Sequence, residues 1–466
     1  MTFRSLLHAF LHQVESRPSE TALLVETDRA MVEVSWKRLH DWVSIFAEEL
    51  SSRFDHSPDL PRRIGYLSEN TESDIVISLA CMAVGALEVP IDHRLPQGEV
   101  ARRWGRVGGQ WLEPEYCRTL PPLSQAPNSG LLQADSYSCD DASLMLWSSG
   151  TTRQPQGVVL SHRSLVGNAA AKLAAVPQSV DDVRLTVLPL SHAYARTCDF
   201  GTWLLSGCRL SVGLGWSTLQ TRSKAVRPTL MNVVPSLANR MLEGKVDGLD
   251  RLQLLGCGGA ALSTTAFEAW RRKGVTVIQG YGLTETGPVI CSATPANATA
   301  GLVGAFVDGW EHVIRDGQLY VRGPDLMQGY WGDELATQAK IDSLGWFATG
   351  DLVESDPETG QLRILGRLDD LLILPNGCKV YPQSIEREVE RIEGVDHAML
   401  ILGESLQLWI DSANRGVEGA IKEIVSDSRQ LGSCTIHHFE QPLSQQAGEL
   451  TSKGTIRRQA ILENRF

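Results

Sequence analysis

The sequence predicts an α/β protein with a parallel sheet, divided into a large domain and a smaller one. Three observations carry that expectation. At 466 residues the chain exceeds what one hydrophobic core usually organises, so a large and a smaller domain are expected. From Thr21 to about Leu120 short apolar runs alternate with stretches of helical periodicity, the pattern that builds a parallel sheet. A hydrophobic content of 42% beside 21% charged residues is that of an ordinary globular protein.

The first strands are expected at residues 22–25 and 63–67, with a helix over 36–50 between them and another beginning near Glu72. Asn70-Thr71-Glu72-Ser73 supplies capping residues, and Ile75, Ile77, Leu79 and Met82 follow as a core-packing face. Residues 121–141, rich in Pro, Ser, Gln and Asp, read as a connector. A net charge of −12 argues against general affinity for nucleic acid or an anionic membrane surface. The nine cysteines, scattered from Cys81 to Cys434 without a Cys-x-x-Cys pair, indicate neither a disulfide framework nor a structural zinc site, and suggest a reducing cytoplasm. The N-terminal segment lacks a small-residue cleavage site. The most apolar stretch, 75–91, is broken by Ser78, Glu88 and Pro90 and is too short to span a bilayer. A soluble protein is expected.

An apolar run, Leu144-Met145-Leu146-Trp147, leads into Ser148-Ser149-Gly150-Thr151-Thr152-Arg153-Gln154-Pro155-Gln156-Gly157, and Val158-Val159-Leu160 reads as an antiparallel return or a continuation. The glycines let backbone N–H groups turn towards a polyanion, and the hydroxyls of Ser148, Ser149, Thr151 and Thr152 add donors for phosphate oxygens. Taken alone, the segment also reads as a Ser/Thr-rich hairpin turn. No Gly-Lys-Ser/Thr ending follows, which excludes a P-loop NTPase.

Residues 185–190 read as a strand ending in Pro189-Leu190-Ser191-His192, and a polar residue at a strand's C-terminal end lies where open α/β sheets bind ligands. A strand over 252–255 runs into Gly256-Cys257-Gly258-Gly259-Ala260-Ala261 and a helix capped by Ser263, close to a dinucleotide fingerprint. That alternative, an NAD-dependent oxidoreductase, wants an acidic residue after the next strand, 275–278, where the chain has Gln279. Then comes Gly280-Tyr281-Gly282-Leu283-Thr284-Glu285. Tyr281 can stack on a purine, Thr284 can bond an α-phosphate or carboxylate oxygen, and Glu285 can ligate Mg²⁺, which takes one or two protein carboxylates plus phosphates.

Together these segments resemble the acyl-adenylate-forming (ANL) superfamily, and most closely its fatty-acid-CoA ligase-like acyl-CoA synthetases. Ser148 to Gly157 resembles the family's Ser-Gly-Thr-Thr-Gly-x-Pro-Lys-Gly loop, with Arg153 at a usual glycine and Gln156 at a usual lysine. The Tyr281-Gly-Leu-Thr284-Glu285 match is highly specific. The resemblance implies that Gly258, Gly259 and Ala260 lie against adenine, that Asp351 of Thr349-Gly350-Asp351 takes the ribose hydroxyls, and that Arg367 of Gly366-Arg367-Leu368-Asp369-Asp370 binds ribose or phosphate. It places His192 beside the carboxylate entry. It also implies a division into 1–368, a large N-terminal AMP-binding domain of mixed and parallel sheets with packed helices, and 369–466, a small α+β mobile domain pivoting at Asp369.

In the small domain, 374–382 resembles the segment that lines the thiol tunnel, and the helix over 383–392 alternates charges in an exposed pattern. Leu450-Thr451-Ser452-Lys453-Gly454-Thr455 resembles the tail carrying the adenylation lysine. Thr455 falls at the usual lysine position, and the role is assigned to Lys453. The implied activity uses ATP and Mg²⁺ to convert a carboxylic acid, a fatty acid by the 189–197 segment, into an acyl-AMP. Transfer to coenzyme A follows, or to the phosphopantetheine of an acyl carrier protein. An aromatic acid remains open, as does a catalytically impaired binder of nucleotide or acyl ligand, since Gln156 and the shifted lysine subtract charge from the triphosphate site.

Overall fold

The computed structural model describes residues 3–27, 30–57, 59–117, 132, 137–148, 155–244, 246–374, 379–403, 405–427, 434–451 and 454–466. Among them, two large sheets dominate. The first has nine strands in the order Ala305–Phe306, Val289–Ser292, Thr276–Gly282, Leu254–Cys257, Leu230–Val233, Val183–Thr186, Arg209–Val212, Thr21–Glu26 and Met31–Ser35. The second has six, ordered Gly329–Tyr330, Gly157–Ser161, Ala142–Trp147, Leu87–Asp92, Arg63–Ser68 and Gln110–Leu112. One apolar cluster joins them, from Leu146 and Leu160 of the smaller sheet to Leu210 and Val212 of the larger.

The helix expected near Glu72 spans Glu72–Ala83 and is buried from Ser73 onward. Its start is secured by Asp74, whose Oδ2 accepts the N–H groups of Asn70 at 2.5 Å and Thr71 at 3.1 Å, satisfying donors that a helix end leaves open. The segment after the phosphate loop is an antiparallel return, with Leu146 opposite Val158 and Trp147 opposite Gly157.

The strand expected over 185–190 is shorter, Val183–Thr186. The Asn70 side chain takes its place beyond Val187, donating to Leu188 O at 2.9 Å and accepting from Leu190 N at 2.6 Å, while Pro189 has no N–H for a ladder. The strand expected over 275–278 instead runs on as Thr276–Gly282, its last residues pairing antiparallel with Val289–Ser292.

Residues 347–355 and 362–367 belong to a four-stranded antiparallel sheet with Glu311–Arg315 and Gln318–Arg322. Beyond it, His397–Leu402, Leu406–Asp411 and Cys434–His438 form a separate three-stranded sheet, with its own apolar cluster around Val389, Leu400, Leu408 and Ile421. The helix expected to be exposed over 383–392 spans Pro382–Val389 and buries Ile385, Glu386 and Val389. Its charge alternation misled because Glu386 finds Arg458 as an internal partner, which offsets the cost of burying a carboxylate. No helix of the described residues is long and apolar enough to cross a membrane.

Candidate active site

The residues expected to hold a nucleoside converge from distant parts of the chain. Parallel pairing of Cys257 with Gln279 brings Gly258, Gly259 and Ala260 out of the sheet beside Gly280 and Tyr281. Gly259 and Ala260 are exposed there, and Gly259 has φ +80°, a conformation that favours glycine. The helix that follows starts only at Thr264. A dinucleotide turn would open directly into its helix, so the oxidoreductase alternative loses its geometry.

Tyr281 reaches the four-stranded sheet, where its hydroxyl donates to Asp351 Oδ2 at 2.5 Å. Arg367 Nη1 donates to the other oxygen of Asp351 at 3.0 Å and to Thr349 O at 3.2 Å. The pairing of Asp351 with Arg367 across adjacent strands places them together. Burial pushes the Asp351 carboxyl above the usual carboxylate range, against the pull of Arg367 and Tyr281. Burial likewise drives the Tyr281 hydroxyl well up, reinforced by Asp351, so the phenol stays a donor.

The loop expected to hold phosphate leaves and rejoins the strand return. Ser148 N donates to Gln156 O at 2.9 Å and Gln156 N to Ser148 Oγ at 3.1 Å, closing the base of the loop. Ser149, Gly150, Thr151, Thr152 and Arg153 lie outside the described residues, as does Lys453 of the tail. The Gln156 side chain turns to Asp333, with Nε2 to Oδ2 at 3.2 Å. Thr284 and Glu285 sit half-buried on the short 3₁₀ turn Thr284–Thr286, and Tyr330 donates to Glu285 Oε1 at 2.8 Å. This single hard carboxylate fits Mg²⁺, which draws its remaining ligands from phosphate and water.

His192, expected beside the carboxylate entry, has Nε2 3.6 Å from Asp92 Oδ2. Asp92 ends the strand Leu87–Asp92, which pairs in parallel with Ala142–Trp147 through Glu88 and Leu144. Extended along both strands, that register brings Asp92 towards Ser148, the first residue of the loop expected to hold phosphate. Arg94 grips Asp92 through Nε at 2.9 Å and Nη2 at 2.5 Å. Burial alone would raise this carboxyl, but the bonds from Arg94 and His192 outweigh it and hold it well below the usual range. Behind His192, a buried Arg196 pairs with Glu88 at 2.5 Å and donates to Leu190 O at 3.1 Å, fixing the turn that presents the imidazole.

Tyr194 stacks against the glycine segment: a Cβ on Gly258 would sit 3.0 Å from its ring. Its hydroxyl donates to Asn232 at 3.3 Å. Asp199 is buried and is taken up by Arg184 and Asn232. Sequence reasoning missed Asp92, Tyr194 and Tyr330. The Gly329-Tyr330-Trp331-Gly332 run carried an aromatic between two glycines as a signal; the other two carried none.

The AMP-binding enzyme family matches residues 115–331. Feruloyl-CoA synthase of Amycolatopsis sp is 27% identical over 378 residues, covering 74% of this chain and 76% of that protein. Long-chain-fatty-acid–CoA ligase FadD13 of Mycobacterium tuberculosis (strain ATCC 25618 / H37Rv) is 27% identical over 383 residues, covering 73% and 75%. The crystal structure of ATP-bound MatB from Rhodopseudomonas palustris superposes with a TM-score of 0.83 at 20% identity, covering 99% of both chains, a likeness of fold.

Proposed function

Residues 115–331 are an AMP-binding enzyme domain of the acyl-adenylate-forming superfamily, and from that premise we propose that the chain is an AMP-forming acid–thiol ligase. It activates a carboxylic acid with ATP to an acyl-AMP, releasing pyrophosphate, and passes the acyl group to coenzyme A. The observation that carries this reading is the meeting of Tyr281, Asp351 and Arg367 where the strand Thr276–Gly282, which neighbours the strand leading into Gly258 to Ala260, reaches the four-stranded sheet. That cluster supplies a stacking ring, a carboxylate for two hydroxyls and a guanidinium for a phosphate or ribose oxygen.

In this reading the acid's carboxylate enters beside His192 and attacks the α-phosphate. Negative charge builds there, so donors and cations aimed at that point lower the barrier. Thr284 hydrogen-bonds the reacting oxygens, Lys453 approaches on the tail, and Ser148 to Thr152 hold the outer phosphates. Glu285 would hold Mg²⁺, which when bound neutralises phosphate charge. Residues 369–466 form the mobile domain: rotation at Asp369 exchanges Lys453 for the thiol approach. The cytoplasm is the proposed compartment.

A fatty acid is the substrate proposed first, from the 189–197 segment and the similarity to a long-chain-fatty-acid–CoA ligase. An aromatic acid is the second reading, supported by the similarity to feruloyl-CoA synthase. Thioester formation across saturated and aryl acids, with coenzyme A or a phosphopantetheinylated carrier protein, tests both. Turnover of aryl acids alone would overturn the fatty-acid assignment, and thioester on the carrier alone would overturn coenzyme A.

A further inference from the structure

We propose that Tyr330 is a positioning residue for the metal-holding carboxylate of Glu285, and that the segment around it ties that carboxylate to the phosphate loop. The inference rests on the reading of Glu285 as the Mg²⁺ ligand. Tyr330 is 7% exposed, and its hydroxyl donates to Glu285 Oε1 at 2.8 Å. Among the described residues no other side chain is bonded to that carboxylate.

The tyrosine is itself held on every side. Its backbone pairs with Val158, and that of Gly329 with Val159, on the strand that leaves the phosphate loop. Its N–H donates to Thr337 Oγ1 at 2.9 Å. One residue on, Trp331 N donates to Gly157 O at 2.7 Å. Two further on, Asp333 takes the Gln156 amide at 3.2 Å while capping the helix Glu334–Lys340 through Ala336 N at 2.9 Å. On the other side, Met327 N donates to Glu285 O at 2.8 Å. Glu285 and the loop base are therefore fastened to one short piece of chain.

A carboxylate offers two oxygens. With the phenol on Oε1, the side chain is set in one rotamer and Oε2 is left to meet a hard cation, so less ordering remains to be done when the metal–nucleotide complex arrives. Outer partners of this kind typically orient metal ligands. A tyrosine placed only to fill the core would need none of this.

Tyr330→Phe keeps the ring and removes the donor. Mn²⁺, standing in for Mg²⁺, is titrated into the protein with α,β-methylene-ATP and followed by electron paramagnetic resonance, beside Glu285→Gln and the double variant. The expected result is Mn²⁺ binding weakened about 10- to 100-fold in Tyr330→Phe, with unchanged Tm and metal-free AMP affinity, and a double variant no weaker than Glu285→Gln alone. Weakening in Glu285→Gln but not in Tyr330→Phe overturns the role of Tyr330 and leaves Glu285 as ligand. Unchanged binding in Glu285→Gln removes the premise and both assignments fall. A Tyr330→Phe protein that loses Tm and AMP affinity together has lost packing, which also overturns the proposal.

Discussion

Tyr281 and Asp351, seventy positions apart, meet in a 2.5 Å hydrogen bond from phenol to carboxylate, joining the nine-stranded sheet to the four-stranded one. The bond sits in the proposed ribose site and pre-orients the carboxylate that Arg367 also grips. Asp351→Asn is expected to cost AMP binding about 2 kcal/mol, roughly thirtyfold in Kd, because hydrogen bonds to a charged acceptor are lost. Tyr281→Phe should cost about half of that, since Arg367 still holds the carboxylate. Calorimetric titration with AMP reads both, and an Asp351→Asn protein that binds AMP normally would remove the ribose assignment.

His192 faces the acid and not the nucleotide in this account. His192→Ala should raise KM for the carboxylic acid about tenfold, a loss of about 1.4 kcal/mol typical of one hydrogen bond to a charged group, and leave KM for ATP unchanged. Asp92→Asn should shift the same parameter by less. Equal effects on acid and ATP would show that His192 only supports the loop.

The burial of Asp325 couples stability to pH. It lies 4% exposed against Gly167, where a Cβ would come within 2.4 Å of its Oδ1. Burial pushes its carboxyl up to about 7, above the pull of Asn168 and Arg163. The folded pKa is above the unfolded one, so between about pH 4 and pH 7 the folded state binds more protons. This group's contribution is therefore present at low pH and is lost as pH rises through that window, at up to about 1.4 kcal/mol per unit. Urea midpoints measured across pH 4 to 8 should show a flatter profile in Asp325→Asn than in wild type.

The pair Arg196 and Glu88, 1% and 0% exposed at their side chains, is a site of steep mutational cost. Arg196→Met leaves a buried carboxylate without its cation, and a loss of about 3–5 kcal/mol is expected. Glu88→Gln added to it should recover part of that loss, although Tyr66 and Ser78, which donate to Glu88 at 2.7 Å each, keep a preference for the charged acceptor. Denaturant midpoints of the single and double variants test this.

The alternation of apolar runs made the parallel strands readable, and Tyr281-Gly-Leu-Thr284-Glu285 carried its chemistry in residue type and spacing. Local pattern failed where a distant side chain decided the backbone. Asn70 ends the strand before Pro189, and Arg458 lets Glu386 turn inward; neither partner lies within a local window. Asp92 was unreadable for the same reason, and the glycine-flanked run around Tyr330 marked the residue without showing its partner. Each gains meaning from a residue that only the fold brings near, His192 100 positions later and Glu285 45 positions earlier.

If this chain adenylates a carboxylic acid, it releases pyrophosphate from Mg·ATP when the acid is present. That release is measured without thiol, with and without acid, in wild type, Lys453→Ala and Thr455→Lys. Acid-dependent release is expected in wild type and falls at least about a hundredfold in Lys453→Ala, as for a group that acts only in the transition state, with AMP affinity retained. Wild-type protein that binds ATP yet releases no pyrophosphate with any acid, while Thr455→Lys gains release, would contradict it and identify a binder whose catalytic lysine is gone.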